Sequence, residues 1–132
     1  MGVPQNKGIT IFAEIKPDWS INHNWMISFA QVISANGYAP GFIANTDSSK
    51  NFNFDRQCSH YVQATKDTDY FGAVFGATEP KLDGMPEKWE PYCPSALNPE
   101  DISFWVCGAT AFDSVSAEDV YAADEKVLAK MW

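Results

Sequence analysis

Five of the chain's eight prolines, Pro80, Pro86, Pro91, Pro94 and Pro99, fall between residues 79 and 100. Proline removes a backbone donor and clashes with the preceding turn, so no helix crosses that stretch. The block divides the 132-residue chain. The residues before it must build their own sheet and helices, and those after it must pack back across a long irregular segment. Loops of that length inside compact domains are commonly functional.

Before the block, apolar runs alternate with helical periodicity. Residues 8–15 form a nearly continuous β-branched run, which suits a strand covered on both faces. Pro17 ends it, and Asp18 or Ser20 can cap the next element. Ile21, Trp25, Phe29, Val32 and Ile33 then recur at helical spacing, and Asn36-Gly37 closes the helix. Pro40 to Asn45 reads as a second strand, followed by the turn-forming run Thr46 to Asn51. Phe54 to Lys66 predicts a second helix with Cys58, Tyr61, Val62 and Thr65 inward, and Tyr70 to Thr78 a third strand. The order β-α-β-α-β implies parallel pairing with right-handed crossovers. After the prolines, residues 102–107 read as a fourth strand, 108–116 as a loop and 118–122 as either strand or helix. Residues 123–131 read as a terminal helix. The expectation is one α/β domain over residues 1–132.

The formal charge is −8, from 9 basic and 17 acidic side chains. A general nucleic-acid interface needs a basic face that this balance does not supply. No apolar run approaches the ~20 residues that span a bilayer, so no membrane association is expected. An apolar fraction of 45% with 14% aromatics gives the chain enough to bury, unlike a disordered sequence. Cys58, Cys93 and Cys107 are odd in number and widely spaced, which argues for free thiols and a reducing compartment. No signal-peptide pattern stands at the N-terminus.

Three stretches together resemble the C-terminal half of a family 25-like glycoside hydrolase barrel, the group of lysozyme-type muramidases and their glycoside hydrolase-like relatives. Ile11-Phe12-Ala13-Glu14, followed after a helix by Gly37-Tyr38-Ala39-Pro40-Gly41-Phe42-Ile43, is similar to that family's acidic strand end and its later G-x-x-P-G-x-Y strand. Trp105 falls late in a strand, where the family often has W-Q-Y. Asp119 to Asp124, continuing through Leu128 to Met131-Trp132, resembles the closing strand and helix. The resemblance implies a partial (β/α) barrel, a cell-wall glycan of the peptidoglycan type as substrate or ligand, hydrolysis by two carboxylates, and no cofactor. The muramidases carry Asp-x-Glu on the acidic strand, whereas Phe12 occupies the Asp position here. That departure favours the other reading, a non-catalytic glycan-binding or interaction module. A third reading is a fragment of a longer barrel.

Glu14 is the sharpest catalytic candidate. At the C-terminal end of an apolar strand it would face the active-site side of an α/β barrel, where apolar neighbours suit a general acid. The alternative is a solvated carboxylate paired with Lys16. Asp47 and Glu79 follow the next two strands and are candidate second carboxylates, at roughly 10 Å for two strand steps. The alternative for Asp47 is a turn-forming role. Trp19, Trp89, Tyr92 and Trp105, with Asn45, are candidate substrate contacts, because sugar C–H faces stack on aromatic rings. Trp25 and Trp105 also read as core. His23 and His60 stand apart in the sequence, with no carboxylate or cysteine at metal-ligand spacing. An open five-stranded sheet leaves two unpaired edges, so self-association through them is expected.

Overall fold

The computed structural model describes residues 9–50, 52–82, 85–112 and 115–123. Strand β1 (Thr10–Ile15) leads to helix α1 (His23–Ala35), strand β2 (Ala39–Ala44), helix α2 (Asn53–Thr65) and strand β3 (Val74–Ala77). The proline block comes next, and the chain then enters strand β4 (Ile102–Phe112) and strand β5 (Val115–Ala122). The five strands lie side by side in sequence order. The β1–β2, β2–β3 and β3–β4 pairs are parallel, and β4–β5 is antiparallel. The α/β expectation holds, with the parallel half as read from the alternation.

The core lies between the sheet and the two helices. Ile15, Phe42, Ala44, Phe75, Ala77 and Ile102 face Met26, Ala30, Phe54, Cys58 and Tyr61 across it. A second, smaller cluster on the opposite face holds Val74 and Phe104, with Phe12 and Ala122 packed against them. Strand alternation explains the division, because successive side chains point to opposite faces. Between β3 and β4 the register shifts at Phe75/Gly76, so Ile102 serves the helix side and Phe104 the other. Between β1 and β2, Gly41 is required opposite Phe12, because a Cβ at that position would collide with the Phe12 ring.

The inward face of α1 differs from the sequence expectation. Met26 and Ala30 are fully buried, whereas Trp25 is 45% and Val32 60% exposed. Trp25 is therefore not core; its ring stacks on Phe29 at the flank, with centroids 5.6 Å apart. Met26 and small Ala30 form the buried stripe, and the partly buried Ile27 and Phe29 pack beside it. The helix starts from Asn22, whose side chain accepts from the Asn24 N–H at 2.8 Å, and not from Asp18 or Ser20. Gly37 takes the left-handed conformation (φ 83°) that the Asn-Gly ending predicts.

Strand β3 is shorter than the apolar run suggests. Asp69, Tyr70 and Phe71 have φ of 51–55°, so this part of the run is a left-handed turn. That conformation costs about 1–2 kcal/mol per non-glycine residue. Hydrogen bonds oppose the cost: the Tyr61 hydroxyl donates to the Tyr70 carbonyl at 2.7 Å, and the Ala73 N–H donates to the same oxygen at 3.0 Å. Of the expected loop at 108–116, residues 108–112 and 115–116 are strand. β4 runs through to Phe112 and pairs with β5 from Phe104↔Ala122 to Phe112↔Val115, which also settles 118–122 as strand. The expected helix at 123–131 lies, apart from Ala123, outside the described residues.

Burial also sets the alkaline limit. Cys58 is 0% exposed, and desolvation pushes its thiol above the ordinary value of about 9, with Asp55 adding to the shift. Tyr61 is raised in the same way, by desolvation first. Both groups are held neutral in the folded state and ionise more readily when unfolded. The Cys58 contribution is complete below pH ~9 and the Tyr61 contribution below pH ~10, and each is lost as pH rises beyond that value. Stability is expected to fall by up to about 1.4 kcal/mol per pH unit above pH ~9 from Cys58, with Tyr61 adding to the slope above pH ~10. In urea titrations at pH 8, 9 and 10, Cys58→Ala should flatten the first part of that decline. An unchanged slope in the variant would remove Cys58 from the effect.

Candidate functional site

Parallel strands present their C-terminal ends on one rim, and the sequence-derived residues gather along it. Glu14 is the last residue but one of β1 and shares with Thr10 and Phe12 the face turned away from the helices. Its carboxylate is ion-paired with Lys16, and the two side chains are 55% and 52% exposed. The structure thus shows the pairing that the sequence offered as the alternative to a desolvated acid.

Asn45 follows β2 on the same face as Glu14, by alternation from Ile43. Its Nδ2 donates to Glu79 Oε1 at 3.2 Å, which joins the ends of β2 and β3. Its Oδ1 accepts the Asp47 N–H at 3.0 Å. Asp47 in turn accepts from the Ser49 N–H at 3.0 Å and the Ser49 hydroxyl at 2.5 Å. This carboxylate organises the turn after β2, as Asp does in such runs. Between them Thr46 is 3% exposed, and its hydroxyl has no protein partner among the described residues. A buried, unmatched hydroxyl is uncommon. Sequence reading missed Thr46, because nothing distinguishes it from the other polar residues of that run.

Register separates the carboxylates. Glu14 pairs with Ile43, and Ile43 with Gly76. Glu79 therefore lies two strands across and three residues further along the chain. Retaining and inverting glycosidases hold their carboxyl groups about 5 Å and 6.5–9.5 Å apart. Two strand spacings alone come to roughly 10 Å between backbones, and the three further residues add to it.

The proline block closes the rim. Tyr92 N–H donates to the Glu79 carbonyl at 2.8 Å. Trp105 Nε1 donates to the Pro80 carbonyl at 2.8 Å, and Trp89 Nε1 to the Pro99 carbonyl at 3.2 Å. The two indoles meet edge to face at 5.7 Å. Asp55 of α2 accepts from the Ser95 N–H at 2.7 Å and from its hydroxyl. Trp105 is 2% exposed and Trp89 half-buried, so both support the loop from beneath. Trp19, which follows β1, and Tyr92 are 51% and 47% exposed. A recess of about 410 Å³ opens between Asp47, Ser48, Ser49, Pro91, Tyr92 and Cys93. Burial pushes the Cys93 thiol up, with Asp101 and Asp55 adding to the shift. Among the described residues no three His, Cys, Asp or Glu side chains gather to hold a metal ion.

No family model matches the chain, and no curated protein matches it. The solved structure of an uncharacterized B. stearothermophilus protein is similar in fold, with a TM-score of 0.75 at 19% identity. The match covers 99% of this chain, which spans 59% of the length of that protein.

Proposed function

We propose that the chain is part of a glycoside hydrolase-like (β/α) barrel whose strand-end rim binds a cell-wall glycan. The observation that carries this reading is the rim itself. Exposed Tyr92 stands beside a fixed hydrogen-bonding row, Asn45–Glu79 and Asp47, with the Thr46 hydroxyl buried next to it, and exposed Trp19 follows the neighbouring strand β1. Sugars offer apolar faces for such rings and hydroxyls for such a row. The face bearing Glu14, Phe12 and Phe104 carries no helix among the described residues and corresponds, in this reading, to the barrel interior. Binding is favoured over hydrolysis because Glu14 is ion-paired and offset from Glu79.

Binding of chito-oligosaccharides and turnover of peptidoglycan, measured on the wild type, Tyr92→Ala and Glu14→Gln, test the proposal. The wild type is expected to bind. Tyr92→Ala should weaken binding about 3- to 10-fold, the value of one aromatic stack, and Glu14→Gln should leave it nearly unchanged. The hydrolytic reading, which the placement of Glu14 on the rim keeps in view, requires turnover that drops ~10²–10⁴-fold in Glu14→Gln. A wild type that neither binds nor turns over these glycans rejects both.

Among the described residues β1 is a parallel edge strand, a position that offers backbone groups for further pairing. Association through that edge is expected in sedimentation at ~100 μM, where exposed edges associate. A clean monomer there would mean that this edge does not pair between copies.

A further inference from the structure

His23 and His60, far apart in sequence, meet in the groove between α1 and α2. Their ring centroids are 5.1 Å apart with planes at 79°. Gln57 Oε1 lies 2.9 Å from the His23 backbone nitrogen and 3.2 Å from its Nδ1. The backbone N–H can only donate, which fixes that Gln57 atom as the carbonyl oxygen. The same oxygen therefore takes the proton of Nδ1, and the lone pair of His23 stands at Nε2. A partner that sets tautomer and ring orientation in this way is what metal-binding imidazoles commonly have. Gln57, His60, Gln63 and Ala64 share one stripe of α2. His23, His60, Gln63 and Ala64 line an open recess of about 410 Å³.

We propose that His23 and His60 form a two-imidazole site for a divalent transition-metal ion of the copper–nickel–zinc class. Two imidazoles on one tetrahedral ion, each nitrogen about 2.0–2.1 Å from the metal, place their ring centres about 5 Å apart. The observed separation of 5.1 Å is of that size, so the two helices already hold the rings at chelating distance, and rotation about the side-chain bonds aims their nitrogens at one ion. Two protein ligands leave the remaining positions to water, for which the recess has room. Imidazole donors without carboxylates select this class over magnesium and calcium. The net charge of −8 concentrates cations near the surface.

The test is Cu²⁺ titration of the full chain at neutral pH, followed by calorimetry and electron paramagnetic resonance. One equivalent is expected, with nitrogen hyperfine structure from two imidazoles. His23→Asn and His60→Asn should each weaken binding at least tenfold, and Gln57→Met should weaken it about 10-fold through loss of orientation. Mg²⁺ should not compete. Because His23 and His60 are the chain's two histidines, loss in either variant assigns the site. Copper bound equally by the wild type and by the double variant, or hyperfine structure lacking imidazole nitrogen, would overturn the proposal. If a variant fails to keep its far-ultraviolet circular dichroism, the wild-type hyperfine pattern decides alone.

Discussion

Phe42→Ala is expected to lower the unfolding free energy by about 3–5 kcal/mol, the usual cost of deleting a fully buried aromatic ring. Phe42 is 0% exposed and sits at the centre of the core. Its ring meets Phe29 at 5.5 Å, Tyr61 at 5.4 Å and Phe75 at 5.9 Å, joining α1, α2 and β3 through one side chain of β2. Each aromatic contact adds about 0.5–1.5 kcal/mol beyond area burial. Natural domains of this size have about 5–15 kcal/mol in total, so the variant loses a large share. Urea unfolding at pH 7 measures it, with a fall in melting temperature of roughly 10–20 °C as the thermal counterpart. A loss below ~1 kcal/mol, the range of surface positions, would mean that the three elements do not converge on this ring.

Trp105→Ala is expected to cost a comparable 3–5 kcal/mol, about the same as other buried aromatics, and in addition to loosen the rim. The indole supplies three things at once. It is buried at the level of Ala77, it donates to the Pro80 carbonyl, and it carries the Trp89 ring. Without it the proline block loses its hold on β4 while keeping its tie to Asp55 through Ser95. Limited proteolysis within residues 79–100 should accelerate, and oligosaccharide binding should fall with it. Trp105→Phe keeps most of the packing and leaves the Pro80 oxygen without its donor, a loss of about 1–3 kcal/mol. If the alanine variant is cut no faster than the wild type, the block is held by other contacts and Trp105 serves the core alone.

The elements legible in the sequence are those whose signal is local. The alternation of apolar runs and helical periodicity up to Ala77 implies the parallel β-α-β-α-β order, and α2 falls within one residue of its expected limits. Cys58, Tyr61 and Thr65 are buried as their spacing requires. The candidate carboxylates and Asn45 all lie at or beyond strand ends, so parallel pairing by itself implies the shared rim. It does not imply what they do there. Asp47 spends its carboxylate on Ser49, and Glu14 meets Lys16 two residues away. These are local hydrogen bonds whose formation depends on how the chain leaves each strand. The burial of Thr46 and the meeting of His23 with His60 depend on contacts between segments that are distant in sequence.

The sequence by itself determined the class of fold, the parallel order, the helix ending at Gly37 and the absence of α-helix among the described residues of the proline block. Each of these follows from backbone sterics and hydrophobic period, which act over a few residues. Tertiary structure alone decided which stripe of α1 faces the sheet: Met26 and Ala30 are buried and Trp25 is left at the flank, although the apolar spacing of the helix admits either. It also decided where β3 begins. The apolar run from Tyr70 to Thr78 favours strand throughout, yet the Tyr61 hydroxyl captures the Tyr70 carbonyl and holds Asp69 to Phe71 left-handed. And it decided that residues 108–112 and 115–116 belong to the paired strands β4 and β5, since that pairing satisfies backbone groups that no local pattern there could place.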